Sequence, residues 1–170
     1  MLTESITAMK YIITIILFSH LQHIYSQEIQ SPGLVKVLTF NIYHGATSNN
    51  DYKLDVFASI INQNRPDLVA LQEVDRFAKR SKKLDLATEL AVRTGMSPLF
   101  GKAMDFDGGE YGVGILSRWS IISSRNLPLP GTTGHEPRTS LEVTVATEAG
   151  DTLSFVSTHL DHRGDTDRIM

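Results

Sequence analysis

Two short apolar runs separated by a helix-length segment constrain this chain more than any other feature. The first, Val35–Phe40, is rich in β-branched and apolar residues, follows the breaker pair Pro32-Gly33 and ends at Asn41. The second, Leu68-Val69-Ala70-Leu71 within Asp67–Gln72, ends at Glu73 and is too short for a helix between such flanks. Both predict buried strands with a polar residue at the carboxyl end. Between them lies a loop, His44–Tyr52, after which Val56, Phe57, Ile60 and Ile61 recur at helical spacing. Pro66 denies Arg65 the right-handed helical region, so that helix ends near Asn64. Leu84, Leu86, Leu90, Ala91 and Val92 predict a second amphipathic helix, closed by Gly95 in a left-handed cap. Strand, helix, strand, helix is the order of an α/β sheet.

Beyond Gly95 the pattern changes to short strands and turns: Pro98–Met104, Tyr111–Ser117, Ile121–Asn126, Ser140–Thr147 and Thr152–Thr158, punctuated by Gly108-Gly109 and Gly150. Spacing this tight predicts antiparallel pairs. The last strand alternates and delivers His159 and Asp161 at its carboxyl end. Asp165–Met170 reads as the first turn of a further helix, with acidic residues near its start. There is no internal repeat and no low-complexity linker.

The amino terminus reads as a targeting segment. Lys10 precedes the apolar run Tyr11–Phe18, and a more polar stretch follows to Gln27, the charged, greasy and cleavable order of a secretory signal. The run is too short to span a bilayer, so the mature chain is expected to carry no transmembrane anchor. Cleavage is expected after Ser26, with 27–33 a short linker and 34–170 the amino-terminal portion of a folded domain. Met9-Lys10 makes a more natural start than Met1, which would place residues 1–8 upstream of the true start. The expected destination is secreted or periplasmic.

Charge and cysteine content narrow the chemistry. With 16 Lys+Arg against 19 Asp+Glu the net charge is −3. Removing residues 1–26 takes away one acid, Glu4, and one base, Lys10, and leaves it unchanged. A pI near 6.0 excludes holding nucleic acid by bulk positive charge. A local cluster, Arg76, Lys79, Arg80, Lys82 and Lys83, follows Glu73 directly and reads equally as an anion-attracting entrance or as a solvated loop. The absence of cysteine excludes disulfides, zinc–thiolate sites and a thiol nucleophile, so any metal site must use oxygen and nitrogen ligands. Phe106 and Trp119 read as packing residues, although either ring could stack on a base or a lipid headgroup.

Asn41, Glu73 and His159 share one property: each stands at the expected carboxyl end of an interior strand, the edge of an α/β sheet where ligands bind. Taken singly, such a Glu is most often a solvated loop residue and such a His a hydrogen-bonded structural group. Converging on one rim, an amide, a carboxylate and an imidazole suit a hard cation and a phosphate. Mg2+ takes one or two protein oxygens and completes its shell with water and substrate phosphate.

At these residues a resemblance becomes specific. Val37-Leu38-Thr39-Phe40-Asn41-Ile42, Pro66-Asp67-Leu68-Val69-Ala70-Leu71-Gln72-Glu73-Val74-Asp75, Tyr111-Gly112-Val113-Gly114-Ile115-Leu116-Ser117-Arg118 and Ser157-Thr158-His159-Leu160-Asp161 resemble, in order, the motifs of the endonuclease/exonuclease/phosphatase superfamily. The chain looks most similar to secreted bacterial members. The resemblance implies a four-layer α-β-β-α sandwich, incomplete here at its carboxyl end. It implies Glu73 as the metal-binding carboxylate, Asn41 as the amide that assists at metal and phosphate, and His159 as the histidine that hydrogen-bonds the scissile phosphate. Tyr111 matches a tyrosine that contacts a phosphate oxygen, and Arg138, in Glu136-Pro137-Arg138, an arginine that supports the phosphate. Glu110 is expected to orient His159 or, equally, to be an exposed turn residue. Asp161 is expected only to support the rim, beside His162 and Arg168.

The chemistry implied is in-line attack of water on a phosphodiester or phosphomonoester with Mg2+ or Mn2+ as cofactor. The partner is then a phosphate-ester substrate, nucleic acid among the candidates, with no obligate protein partner evident. Nuclease, phosphodiesterase and lipid or sugar phosphatase remain open. The resemblance also implies a Gly-Asp-x-Asn strand end and a Ser-Asp-His motif that supply the base for the water, and neither occurs in residues 1–170. The expectation is therefore a fragment with little hydrolase activity of its own and a partly uncovered sheet. The alternative is a non-catalytic secreted ligand-binding domain on the same fold.

Overall fold

β1 (Val37–Asn41) and β2 (Leu68–Arg76) run parallel, paired from Val37 with Leu68 to Asn41 with Gln72. The crossover between them carries α1 (Leu54–Asn64). This computed structural model describes residues 34–49, 51–132 and 134–161. The expected signal (1–26), the linker (27–33) and the helical turn at 165–170 lie outside the described residues.

α1 stops where Pro66 requires it: Arg65 takes a left-handed φ of 44° and its N–H reaches the Ile61 carbonyl. The helix meets the sheet along Leu54, Phe57, Ala58 and Ile61, a stripe at three- and four-residue spacing. Val56 and Ile60, expected in that stripe, are exposed to 44% and 36%. α2 (Leu86–Thr94) is capped by Asp85, whose carboxylate accepts from the Thr88 N–H at 3.2 Å, and is closed by Gly95 at φ 68°. Val92, also expected to pack, points to solvent at 78%. In both helices the apolar stripe is narrower than composition suggests, by two residues in α1 and one in α2, because only residues facing the sheet can be covered by it.

β3 (Ser97–Phe106) and β4 (Gly109–Ser117) form a hairpin whose Asp107-Gly108 turn has both residues at positive φ, 46° and 77°, the geometry that matches strand twist. β4 inserts beside β2, giving a first sheet of order β1-β2-β4-β3. β5 (Ser120–Pro128), β6 (Thr139–Ala146) and β7 (Thr152–Thr158) make a second, antiparallel sheet in sequence order. β6 alternates buried and half-buried along its length, so Leu141, Val143 and Val145 face Leu68, Val113 and Ile115 of the first sheet. The other core lies between the first sheet and the helices, where Val69, Leu71 and Leu116 meet Phe57, Ile61, Leu86 and Leu90.

The described layers are thus helix, sheet and sheet, three of the four in an α-β-β-α sandwich. The outer face of the second sheet is largely Ser, Thr and Glu, with Ile122, Leu127 and Val156 as exposed apolar exceptions.

β2 corrects one expectation. It does not end at Glu73 but continues to Arg76, and its pairing with β4 slips between Leu71 and Val74. Glu73 sits in that slip at φ 55°, so its peptide is re-aimed while the strand resumes beyond it.

Candidate active site

The bulge positions the site. It frees the Leu71 carbonyl, which accepts from the buried Ser157 hydroxyl of β7 at 3.1 Å, tying the end of the second sheet to the slip in the first. His159 leaves β7 two residues later. A left-handed φ at a non-glycine residue costs on the order of 1–3 kcal/mol, and Glu73 bears it where its carboxylate meets the end of β1. There Asn41 donates Nδ2 to Glu73 Oε1 at 2.7 Å and accepts the Tyr43 N–H on Oδ1 at 2.9 Å.

The chain after Asn41 curls through a short 3₁₀ turn, Tyr43–Gly45, in which Tyr43, His44 and Gly45 all have positive φ. The curl carries the Tyr43 and His44 rings, 4.4 Å apart, to the rim of a cleft of about 470 Å³. Across it stand Tyr111 of β4, Arg138 just before β6 and His159 just after β7. Four of the expected residues, Glu73, Tyr111, Arg138 and His159, therefore line one cavity, with Asn41 bonded to the first of them.

Arg138 is almost fully buried and donates Nη1 to Glu136 at 2.8 Å; the same nitrogen lies 3.4 Å from His159 Nδ1. An arginine N–H can only donate, so in this contact Nδ1 takes the acceptor role. Burial, then the charges of Glu136 and Glu73, push the Tyr111 hydroxyl far above its ordinary range against the pull of Arg138 and Arg80. That hydroxyl stays protonated and can donate. Burial and the nearby Arg80 hold the His44 imidazole below its ordinary value, opposed by Asp75 and Glu73, so it is neutral near pH 7. The cleft thus offers two carboxylates, Glu73 and the Arg138-paired Glu136, and several donors, a set suited to an anion bridged to a cation.

Two expected residues stand outside the cavity lining. Glu110 does not reach towards His159: successive strand residues face opposite ways, and with Tyr111 in the cleft, Glu110 pairs on the other face with Arg76 and with Lys102 at 3.2 Å. Asp161 is buried and holds His135 Nδ1 at 2.7 Å, bracing the loop before Arg138. The basic cluster also divides. Arg76 serves Glu110, Lys79, Lys82 and Lys83 are exposed, and Arg80 alone enters the cleft, clamped by fully buried Asp75. Tyr43 and His44 were not singled out from sequence. Their signal was His44-Gly45, a ring beside a glycine in a loop at the carboxyl edge of β1.

A model of the Endonuclease/Exonuclease/phosphatase family matches residues 38–169. No curated protein gives a significant match. Among solved structures, an endonuclease/exonuclease/phosphatase from Beutenbergia cavernae DSM 12333 superposes with a TM-score of 0.63 at 20% identity, covering 78% of this chain and 40% of that one. A family protein from Leptotrichia buccalis C-1013-b gives 0.61 at 20%, covering 75% and 55%. The D. rerio TDP2 complexed with single strand DNA product gives 0.58 at 21%, covering 79% and 50%. The chain spans about half the length of these structures. With the family model matched over most of the chain, through both sheets and every residue that lines the cleft, this protein belongs to the Endonuclease/Exonuclease/phosphatase family.

Proposed function

We propose that the protein hydrolyses a phosphate ester with the help of Mg2+ or Mn2+, and that residues 1–26 direct it out of the cytoplasm. The observation that carries the reading is the Asn41–Glu73 pair on a strained bulge, opposite Tyr111, Arg138 and His159 in one cleft. Among the described residues no three His, Asp or Glu side chains gather as an all-protein cage. One carboxylate fits the hydrated Mg2+ pattern, in which substrate phosphate completes the shell. Asn41 donates to Oε1 of Glu73 and so orients the carboxylate that would hold the ion.

When bound, the ion would withdraw charge from the phosphoryl group and steady the leaving oxygen. Arg138 supplies fixed positive charge to the phosphate, its guanidinium held by Glu136. Tyr111, kept protonated, donates to a phosphate oxygen, and His159 donates from Nε2. Nucleic acid is a candidate substrate: the D. rerio TDP2 structure, alike in fold, holds a single strand DNA product.

The test uses the full-length protein. Mg2+-dependent release of nitrophenol from bis-p-nitrophenyl phosphate, or cleavage of a single-stranded oligonucleotide, is expected, with Glu73→Ala lowering turnover about 10²–10³-fold. Anion binding without turnover in any substrate would establish the ligand-binding domain instead.

A further inference from the structure

Arg80 is exposed at the cleft, yet it is held more firmly than a free surface cation. Its Nε and Nη2 donate to the two oxygens of Asp75, each at 2.8 Å, and Asp75 is fully buried. Its guanidinium lies 4.3 Å above the Phe106 ring and 5.5 Å from that of Tyr111, while its own backbone N–H donates to Asp107 at 2.8 Å. Backbone, head and face are each fixed, and Nη1 makes no hydrogen bond among the described residues. An arginine whose inner edge is spent on a carboxylate and whose outer edge faces a cleft is a preorganised anion donor.

The cleft already holds one such cation, Arg138, beside His159. Arg80 comes from the loop after β2, on the first sheet, whereas Arg138 precedes β6, on the second. Both line the same cavity, with Tyr111 in reach of each sheet's contribution. Asp75 offsets the Arg80 charge through two hydrogen bonds, and Glu136 offsets that of Arg138 through one. A single phosphate is served by Arg138, Tyr111 and His159. Arg80 is then surplus to a substrate with one phosphate.

Resting on the proposed phosphoesterase reading, we infer that Arg80 receives a second phosphate group of the substrate, separate from the one that is attacked. The substrate class is one with at least two phosphates: a nucleic acid strand with a phosphate flanking the scissile one, or a small molecule phosphorylated twice. Arg80 binds and does not take part in bond making, so the inference is read in affinity.

Fluorescence anisotropy of the complete gene product, without divalent metal, measures binding to a labelled thymidine trinucleotide with both phosphodiesters intact. The comparison is the same strand with one phosphodiester replaced by neutral methylphosphonate. The intact strand is expected to bind roughly tenfold tighter. A sugar bisphosphate and its monophosphate, run as competitors, give the same comparison for small molecules. Discrimination within the strand pair assigns the second phosphate to nucleic acid, and discrimination only within the sugar pair assigns it to a small molecule. The preference is expected to fall to about onefold in Arg80→Gln and in Asp75→Asn/Arg80→Gln, which leaves no buried carboxylate unpaired. No preference in either pair for the wild type, or an undiminished preference in the double variant, overturns the inference. Hydrolysis is assayed separately with Mg2+: failure there, with the binding preference intact, removes the phosphoesterase reading alone.

Discussion

His44 shows how one residue joins backbone strain to site electrostatics. It occupies a left-handed conformation at φ 44°, between a tyrosine whose ring is tilted 40° to its own and a glycine that the turn requires, since a Cβ at Gly45 would fall 2.9 Å from the Tyr52 ring. Burial and then Arg80 depress its pKa below the ordinary 6.5. Between that lowered value and 6.5 the unfolded chain binds a proton that the folded chain resists, so stability rises with pH across this window. The contribution is complete above 6.5 and is lost as pH falls through the folded pKa. His44→Asn, which tolerates the left-handed region, is expected to flatten Tm against pH between about 7 and 5. Thermal melts across that range check it, and an unchanged slope would place the acid sensitivity in another group. Tyr52 runs the other way: burial raises its pKa to about 12, so its contribution holds below 10 and is lost only in strong alkali.

At the scale of the element, the informative residues are those where a strand departs from its ladder. β3 and β4 slip between Lys102 and Met104, and there the two backbones come so close that a Cβ on Gly112 would fall on the Gly101 carbonyl oxygen and 2.9 Å from the Ala103 nitrogen. Two residues on, a Cβ at Gly114 would meet Leu71 and Val74 at 3.4 Å, an ordinary contact. Gly112→Ala is therefore expected to cost about 3 kcal/mol or more and Gly114→Ala under about 1, read as urea midpoints at constant m. At α2, Asp85→Ala removes the cap on the Thr88 N–H and is expected to cost about 1 kcal/mol. The Gly95 stop was legible because it acts within four residues, whereas the Asp85 cap was not singled out and the expected apolar face began one residue before it, at Leu84. The bulge at Glu73 was not, because nothing in Leu71-Gln72-Glu73-Val74 requires it until β4 pairs on one side and Ser157 claims the Leu71 carbonyl on the other.

For the whole molecule, sheet-on-sheet packing decides which surfaces meet and hence where the cleft opens. Leu141 of β6 is 2% exposed and packs among Leu68, Val113 and Ile115, so Leu141→Ala is expected to cost about 2–5 kcal/mol and to loosen the base that carries Arg138. A falling denaturation midpoint with parallel loss of anion affinity checks this; stability lost with affinity intact would uncouple the sheet from the site.

The sequence by itself determined the strands, the helix stops and the strand-end places of Glu73 and His159, which follow from backbone preference and apolar periodicity over a few neighbouring residues; Tyr111 and Arg138 were reached only through the family resemblance. Tertiary structure alone decided that Glu110 would answer Arg76 rather than His159, that Asp75 would clamp Arg80, and that His44 would face Glu73. Partner choice of that kind depends on strand order, register and the side of a sheet a residue faces, and a one-residue slip reverses that side. Glu73 stands at such a slip, which is why its place at the rim was legible and its geometry was not.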